Sequence, residues 1–436
     1  MQDELTIGYS AQAESLTGTV PGADGLRQQA MKAFAETGFP TARAEDWRYS
    51  DLRALRAGVY GLAEAPTATT EIPAAIGDTA ARFVFINGRY AEDLSDMGDL
   101  WQAASIRPIA NHFTANPARL DELVRGHDGV SLLNTALMRD GIVLTVPAGV
   151  EIDDPVEIIH VMTDAAGKAA HLRHVIELGE AAKLSVVERF IGDNSAYWHN
   201  ITLQARIAEG AGLTHARLQE EGESALHTAK AYVNVDASGH YHCTNLSLGG
   251  KVARFEAHVR LLGEEANATI DGVALAATGQ SHDTFTHISH VVPFATSDQI
   301  FRTIADAPGK TSFAGKVTVE KDAQKTAADQ SFKALVFDRT GEANAKPELE
   351  IFADDVKCSH GATVGELDAK AIFYLTSRGI DPVTARQMLV EAFTADALTR
   401  VTTDAVRDLM TARINDWMTT RADRAVPEAV TAQGAE

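Results

Sequence analysis

Cysteine is almost absent from this sequence of 436 residues, which contains only Cys243 and Cys358. Two thiols are too few for a disulfide framework or for a four-thiolate metal site within one chain. The first ten residues, "MQDELTIGYS", carry Asp3 and Glu4 where a signal peptide would carry lysine or arginine. We therefore expect a protein without a secretion signal that works in the reducing cytoplasm.

Basic residues and long apolar runs are also scarce. Lysine and arginine number 39 against 60 aspartates and glutamates, which gives a formal net charge of -21. Such a surface is poorly suited to neutralising the phosphates of a nucleic acid. Apolar runs such as "GIVLTVPAGV" fall well short of the about 20 residues that a membrane-spanning helix requires. We expect neither nucleic acid nor a membrane as a partner.

Two nucleotide-binding motifs are missing as well. The sequence contains neither a G-x-x-x-x-G-K-[ST] phosphate loop nor a G-x-G-x-x-G dinucleotide fingerprint. If ATP takes part in the function, another subunit must therefore supply the site that binds it.

Helical periodicity marks the beginning of the chain. The stretch "DGLRQQAMKAFAET", from Asp24, places its apolar residues on one helical stripe. An Ala/Thr/Pro-rich stretch, typical of a linker, begins at Gly61. The sequence predicts an N-terminal helical domain over residues 1–65 and a linker over residues 66–82.

Short β-branched and aromatic runs replace the helical pattern in the middle of the chain, and helical periodicity is absent there for about two hundred residues. A turn followed by a strand recurs, and its anchors at Ala182, Ala211, Ser238 and Ala266 give spacings of 29, 27 and 28 residues. This recurrence suits a β-solenoid over residues 83–363, whose turns stack into one core. A β-sandwich also shows evenly spaced short strands, so periodicity alone leaves both folds open.

The helical pattern returns toward the C-terminus. The stretch "LDAKAIFYLTSRG" ends with Gly379 in the position of a C′ glycine, and Asp381 as N-cap with Pro382 at the first helical position predicts a second helix. The sequence therefore predicts a C-terminal helical domain over residues 364–426 and a flexible tail over residues 427–436.

The stretch "VKCSH" carries the candidate chemistry. If it is a strand, Val356, Cys358 and His360 project to one face, and the thiol and imidazole are near neighbours. Both groups ligate iron and zinc, and iron-sulfur clusters accept cysteine with histidine as an occasional substitute. Two ligands are about half of a usual set, so the pair indicates a transient site or one completed by another chain.

Two other interpretations of this cysteine remain open at the level of the sequence. The preceding "LEIFA" points Leu349, Ile351 and Ala353 toward a core, and cysteine is often buried, so Cys358 can be structural. A Cys/His nucleophilic dyad is the third interpretation, although cysteine hydrolases usually draw their histidine from elsewhere in the sequence.

The remaining candidate ligands favour structural roles. Cys243 in "HYHCTNLS" fits a small buried strand residue. In "SHDTFTHISH", only His282 and His290 of the three histidines share a face, and they are far apart along a strand. We interpret these histidines as polar strand residues.

The residues around this strand resemble a known family. The 35 residues from Lys346 to Ile380, "KPELEIFADDVKCSHGATVGELDAKAIFYLTSRGI", are similar to a signature of the SufB/SufD family of iron-sulfur cluster assembly scaffold proteins. The stretch "PGKTSFAGKVTVEKDAQKTAADQ", from Pro308, resembles the last β-helical segment of that family. The resemblance implies a mainly β fold, with a right-handed parallel β-helix (β-solenoid) core flanked by N-terminal and C-terminal α-helical domains.

The run after the strand favours the SufD branch of that family. His360 is followed here by Gly361, Ala362 and Thr363, whereas the SufB branch typically shows a His-Glu-Ala-Thr/Ser pattern. The stretch "SFKALVFDRTGEANAKPELE" departs from the asparagine-rich strand that family members often show, which affects inferences about that strand alone.

For the SufD branch, the resemblance implies a non-catalytic scaffold rather than an enzyme. It implies pairing with a SufB-like paralogue through adjoining β-helices, and binding of a SufC-like ABC-type ATPase to the C-terminal helices. A transient iron or iron-sulfur cluster, shared with the partner and not held stably by this chain alone, is expected at the SufB-SufD interface. Carried over by position, His360 and Cys358 would be this chain's metal or cluster ligands.

The resemblance also makes the C-terminal helices the expected ATPase-docking surface, with Tyr374, Met388 and Phe393 as candidate contacts. Simple packing of these helices against the β-helix is the alternative. The chain alone, without SufB, has the option of forming a homodimer, because a sheet edge that accepts a partner can accept a like edge. The alternative from another functional class is a solitary β-helix carbohydrate-active enzyme, which would use paired carboxylates in a groove.

Overall fold

The computed structural model describes residues 2–66, 70–111 and 125–424, with backbone alone for residues 421–424. The predicted linker over 66–82 is therefore described apart from residues 67–69. The tail predicted over residues 427–436 lies outside the described residues.

The described residues form twenty β-strands arranged in two ten-stranded sheets. The strands are β1 (Gly61–Leu62), β2 (Ala81–Ile86), β3 (Arg89–Tyr90), β4 (Ser105–Pro108), β5 (Ile142–Val146), β6 (Val156–Met162), β7 (Lys168–Leu178), β8 (Lys183–Gly192), β9 (Trp198–Ile207), β10 (Gly212–Gln219), β11 (Leu226–Val235), β12 (His240–Ser247), β13 (Val252–Leu261), β14 (Asn267–Ala276), β15 (Ser281–His290), β16 (Thr296–Ala305), β17 (Lys310–Val319), β18 (Ala327–Val336), β19 (Glu342–Ile351) and β20 (Lys357–Gly365).

Helices precede and follow this strand region along the chain, and others lie inside it. The α-helices whose full extent is described are α1 (Gln2–Ser15), α2 (Asp24–Thr37), α3 (Arg53–Ala57), α4 (Leu100–Ala103), α5 (Gly129–Leu137), α6 (Ala369–Ser377), α7 (Pro382–Leu398) and α8 (Asp404–Arg424). Short 3-10 helices occur at Glu45–Trp47 and Glu92–Leu94.

The two sheets are the two walls of a β-solenoid. The odd sheet takes the odd-numbered strands from β5 to β19 with β1 and β4, and the even sheet takes the even-numbered strands from β6 to β20 with β2 and β3. Each odd strand and the following even strand therefore make one turn, and about eight turns stack. The pairs that link β5 to β19 and β6 to β20 are parallel. The solenoid prediction is confirmed, and the sandwich, whose strands pair antiparallel, is excluded. The right-handed winding stays a prediction.

The register of the sheet corrects one anchor of the predicted repeat. The backbone N–H of His240 donates to the carbonyl of Ala211, and the N–H of Asn267 donates to the carbonyl of Gly239. Gly239, and not Ser238, is therefore the residue equivalent to Ala211 in the next turn, 28 residues later. The anchor was displaced because Ser238, with a φ of 51°, occupies the tight turn just before the strand.

The main core fills the lumen between the two sheets. Alternate residues of each strand point inward, as Leu184 and Val186 do from β8 and Leu203 and Ala205 do from β9. The outer faces are covered as well. The N-terminal helices and α5 pack on the odd sheet near Trp198, and α7 and α8 pack on the even sheet. Strands buried on both faces lose the simple alternation of polar and apolar residues.

Helix α5 contradicts the prediction that helical periodicity is absent from the middle of the chain. All nine of its residues are buried, so its sequence has no polar stripe to reveal a helix. The carboxylate of Asp128 caps the helix by accepting the backbone N–H groups of Val130 and Ser131. Sequence analysis also did not predict α1, which buries Leu5, Tyr9 and Ala13 along one stripe.

The boundary signals predicted for the C-terminal helices are confirmed. Asp381 accepts the backbone N–H groups of Val383 and Thr384 at the start of α7, and Gly379 has a φ of 89° between α6 and α7. No described helix combines the length and the apolar composition needed to cross a lipid bilayer.

Candidate functional site

The solenoid ends in an uncovered last turn, which consists of β19 and β20. Each strand pairs on one side only, β19 with β17 and β20 with β18, and within the described residues the other edge has no strand beside it. Apolar side chains are exposed there, with Ile351 at 40%, Phe352 at 62% and Val364 at 52%. An unpaired sheet edge with exposed apolar residues is a template for pairing with another chain.

Ile351 illustrates what the missing next turn does. It is in register with Val319, which is fully buried in the lumen one odd strand earlier. Ile351 itself is not buried, because no described turn follows to cover it. The predicted inward direction holds for all three residues, since Ala353 is buried in the main core and Leu349 packs against it. Ile351 points the same way but stays exposed because of its position in the last turn.

Cys358 and His360 lie on the lumen face of β20. Cys358 is in register with Ala328 and His360 with Gln330, and both β18 residues are buried. Cys358 is half-buried against the main core, whereas His360 is exposed. The structure therefore brings the two predicted ligands to one face of the open end, as the strand prediction required.

The surroundings of Cys358 determine its protonation. Partial burial raises the pKa of the Cys358 thiol above its ordinary value, a backbone hydrogen bond with Ala328 opposes this, and the carboxylate of Asp329 adds to it. A thiol with a raised pKa is protonated at neutral pH, so a metal ion must displace its proton to bind. A nucleophilic dyad needs the opposite shift, and the environment argues against that interpretation.

A residue that sequence analysis missed lies directly behind His360. The amide Oε1 and Nε2 of Gln330 are buried and make no hydrogen bond within the described part of the chain. The register continues this inward column from Gln330 through Gln299 and Ile270 to Cys243. The recurrence of glutamine at 299 and 330, one turn apart, is the signal that could have identified Gln330.

Cys243 has the structural position predicted for it. It is fully buried and shares the inward face of β12 with the buried Tyr241 and Asn245. Its Sγ lies 4.0 Å from Nδ1 of His215. His282 and His290 share a buried face, and these observations agree with the predicted structural roles.

A second set of polar side chains, all buried in the lumen, was not predicted at all. We call it the lumen cluster, and its members are His160, His174, Glu188, His199, His215, Arg217, Glu221 and His227. The signal was present in the sequence, because His199 and His227 are 28 residues apart and in register on β9 and β11. The 28-residue spacing can be interpreted as a contact only when the register of the strands is known.

Charge in the lumen cluster is set by burial and by contact. Nε2 of His215 lies 2.7 Å from Oε2 of Glu188. Burial alone would lower the pKa of His215, but Cys243 and Glu188 outweigh it and raise the pKa to about 9. Burial alone would raise the pKa of Glu221, but His227 and His199 outweigh it and lower the pKa below its ordinary value. The cluster therefore holds ionised carboxylates in the interior.

The C-terminal helices present a second exposed surface. No residue of α6 is buried, and Phe373, Tyr374 and Met388 are exposed by 72%, 53% and 46%. Phe393, the third predicted contact, is half-buried against the even sheet. Phe373 was not among the predicted contacts, and the structure places it on the surface beside Tyr374.

Comparison with known proteins agrees with this architecture. The family model described as "SUF system FeS cluster assembly, SufBD core domain" matches residues 160–393, and "SufBD protein N-terminal region" matches residues 9–158. The chain is 32% identical over 378 residues to the iron-sulfur cluster assembly protein SufD of Escherichia coli, covering 85% of this chain and 87% of that protein. It is 30% identical over 395 residues to a SufBD family protein of Synechocystis, covering 86% of each chain, and 26% identical over 391 residues to the chloroplastic protein ABCI7 of Arabidopsis thaliana, covering 86% and 82%. The chain belongs to the SufB/SufD family of iron-sulfur cluster assembly proteins.

Proposed function

We propose that this chain is a non-catalytic, SufD-type scaffold subunit of a cytoplasmic iron-sulfur cluster assembly complex. In this proposal, its open last turn pairs with the β-helix of a SufB-like paralogue, and a SufC-like ATPase docks on its C-terminal helices. The observation that carries the proposal is the uncovered edge formed by β19 and β20, which presents Cys358 and His360 from the lumen face. The family assignment argues against the carbohydrate-active alternative.

The proposed cluster site is a half-site. Among the described residues, the groups of three or more potential metal ligands all lie in the lumen cluster, and neither Cys358 nor His360 belongs to one. Stable iron sites and iron-sulfur clusters need about four protein ligands. A partner that covers the last turn would add the missing ligands and bury the site, which makes the bound cluster a shared and transient cargo.

The proposed ATPase surface is attached to the solenoid by ion pairs. Arg302 of β16 pairs with Asp396 of α7. Arg400, just after α7, pairs with Asp271 of β14 at 3.0 Å and with Asp298 of β16 at 3.0 Å. Movement of an ATPase bound to the exposed α6 would reach the even sheet through this firmly attached helix, and the even sheet ends in β20.

Anaerobic reconstitution tests the half-site. The chain is assembled with its SufB-like and SufC-like partners, and bound iron and sulfide are measured for wild type and for His360→Ala. The matched control is His240→Ala, which removes another exposed histidine of the even sheet, on β12 and four turns before β20. We expect His360→Ala to assemble normally and to lose most of the cluster, and His240→Ala to retain it.

The same material tests the docking surface. Phe373→Asp and Tyr374→Asp are expected to weaken ATPase binding by about tenfold or more, because exposed aromatics dominate interface energies. Ile7→Asp, which changes a residue of α1 that is 70% exposed, is the control. Unchanged cluster content in His360→Ala would mean that the last turn has only a structural role. Unchanged ATPase binding in both aspartate variants would mean that the ATPase docks on another surface.

A further inference from the structure

The described residues contain two groups of three side chains whose ligating atoms lie within 4.8 Å of one another. The groups are His160 with His174 and Glu188, and His199 with Glu221 and His227. Both are buried in the lumen, in turns far from β20. Two imidazoles with one carboxylate suit Zn2+ and non-haem Fe2+, provided that nitrogen lone pairs are free. This requirement distinguishes the two groups.

The first group is a hydrogen-bonded network. The backbone N–H of Ile142 donates to Nδ1 of His174 at 3.2 Å. A neutral imidazole has a single acceptor nitrogen, so Nε2 of His174 carries the proton and has no lone pair for a metal. Oε2 of Glu188 lies 2.7 Å from Nε2 of His215, which is outside the group. This group does not fit a metal ion without breaking those contacts.

The second group is arranged as a ligand set. His199 and His227 are in-register neighbours on β9 and β11, and the carboxylate of Glu221 reaches both. Nδ1 of His199 lies 2.8 Å from Oε1, and Nδ1 of His227 lies 2.7 Å from Oε2. The second contact has the length of a hydrogen bond without its alignment, so the buried Nδ1 of His227 has no hydrogen-bond partner.

The free nitrogen of His199 makes its tautomer adjustable. Its Nε2 is buried and has no hydrogen-bond partner. The ionised carboxylate of Glu221 can only accept, so Nδ1 of His199 donates to it in the metal-free chain. An ion that binds Nδ1 replaces this hydrogen bond, and the proton moves to Nε2. Nη2 of Arg217 lies 3.5 Å from Nε2 of His227, which is at the limit of a hydrogen bond. If Nδ1 of His227 binds an ion, Nε2 carries the proton and this contact must loosen.

A surface cleft borders this group, whose three side chains are buried beneath it. The cleft, of about 430 Å³, lies between α8 and the turns that follow β8, β10 and β12, and Glu221 is one of its lining residues. Gly222 and Gly249 line it too, and a Cβ on either would come within 2.1 Å of a neighbouring carbonyl oxygen. Glycines at these turns let the backbones approach closely, and they place no side chain in the cleft next to Glu221.

The cleft also carries charge of the sign that attracts a cation. The acidic residues that line it are Glu220, Glu223 and Asp416. Arg413 is the one arginine among its described lining residues, and it pairs with Glu220 at 2.7 Å and with Asp416 at 3.3 Å. Acidic walls raise the local concentration of divalent cations at the entrance.

We propose that His199, His227 and Glu221 bind one divalent first-row transition ion inside the solenoid, with a fourth position open toward the cleft. The two imidazole nitrogens now lie 2.7 Å from Oε2 and 2.8 Å from Oε1 of Glu221. Around a tetrahedral ion with bonds of about 2.0–2.1 Å, each nitrogen would lie about 3.3 Å from the one oxygen that binds. This site is separate from Cys358 and His360, and it does not depend on the proposed cluster assembly.

Titration of the metal-free, isolated chain with Co2+ tests the proposal. Wild type is expected to bind one equivalent and to develop the visible bands of a four- or five-coordinate ion. Glu221→Gln and His199→Asn are expected to weaken binding by about 100-fold or more, as loss of a ligand should cost at least as much as loss of its support. The matched control is His290→Gln, which changes a buried histidine outside the group. The double variant Cys358→Ser/His360→Ala should bind as wild type does.

Two results would overturn the proposal. One is loss of Co2+ binding in the double variant at the open end with retention in Glu221→Gln and His199→Asn. The other comes from X-ray absorption of Co2+-loaded wild type, which needs no variant to fold. Nitrogen and oxygen neighbours with imidazole scattering are expected, whereas sulfur in the first shell, or a weak site that Mg2+ displaces, contradicts the assignment.

Discussion

The middle and last turns of the solenoid are made from the same repeating unit, yet they differ in what covers them. In β14, eight of ten residues are buried, because β12 and β16 flank it and α7 covers its outer face. In β19 and β20, no residue is buried. The strands have the same direction and register throughout, so burial depends on position in the stack. The candidate site lies where the stack stops.

The largest effect expected from this difference is on stability. Phe301→Ala removes a ring that is 2% exposed and stacked 4.4 Å from Phe313, and we expect a loss of about 3–5 kcal/mol. Phe352→Ala removes an exposed ring from the last turn, and we expect a change within about 0.5 kcal/mol. Urea denaturation measures both. Equal losses would mean that something covers the last turn in the isolated chain, which repetition at a lower concentration would reveal as self-association.

The next effect concerns the charge in the middle turns. The pKa of His215 is raised to about 9 in the folded chain, against about 6.5 when unfolded. Protonated His215 therefore adds stability that is complete below about pH 6.5 and is lost as the pH rises through about 9, by about 3 kcal/mol in total. Unfolding free energies at pH 6.5 and pH 10 should differ less in His215→Gln than in wild type. The exposed His240→Gln should keep the wild-type difference, and an unchanged difference in His215→Gln would show that His215 is not charged.

A smaller effect is expected on pairing of the last turn. Val364→Lys places a charge on an exposed position of β20 without disturbing a core, so the isolated chain should keep its stability. Affinity for the SufB-like partner, measured by calorimetry, should fall by about tenfold, or about 1.4 kcal/mol. Ile7→Lys, at an exposed position of α1, is the control. Equal affinity in Val364→Lys would place the partner interface away from this edge.

The smallest effect is a difference in alkylation rate between the two cysteines of the unmodified fold. Iodoacetamide should modify the half-buried Cys358 in the native chain and spare the fully buried Cys243 until the chain unfolds. The rate at Cys358 should still rise above the pH at which a free cysteine levels off, because its pKa is raised. Mass spectrometry of peptides measures both rates. Native modification of Cys243 would mean that the middle turns open.

What could be predicted from the sequence was encoded locally. The caps at Asp381 and Gly379, the period of the repeat and the strand that carries Cys358 and His360 all depend on neighbouring residues, and the structure contains them. The buried helix α5 escaped prediction because an element covered on all sides has no polar stripe.

What could not be predicted depends on contacts between turns. An anchor one residue away, at Ser238 in place of Gly239, hides which residues stack, and the lumen cluster becomes visible only when His199 is placed beside His227. The exposure of Phe373 and Ile351 depends on which neighbouring element is absent, and no pattern within a helix or strand contains that information.

The register of the solenoid also bears on how the chain folds during synthesis. Each long strand pairs with a strand about 28 residues earlier, so a new turn needs only the turn already made. The chain can therefore dock turn by turn in the order in which it leaves the ribosome, with α7 and α8 closing over the even sheet last. On this route an open edge stays at the growing end throughout, and the finished protein retains, on β20, an edge of the same kind as the one to which β20 was added.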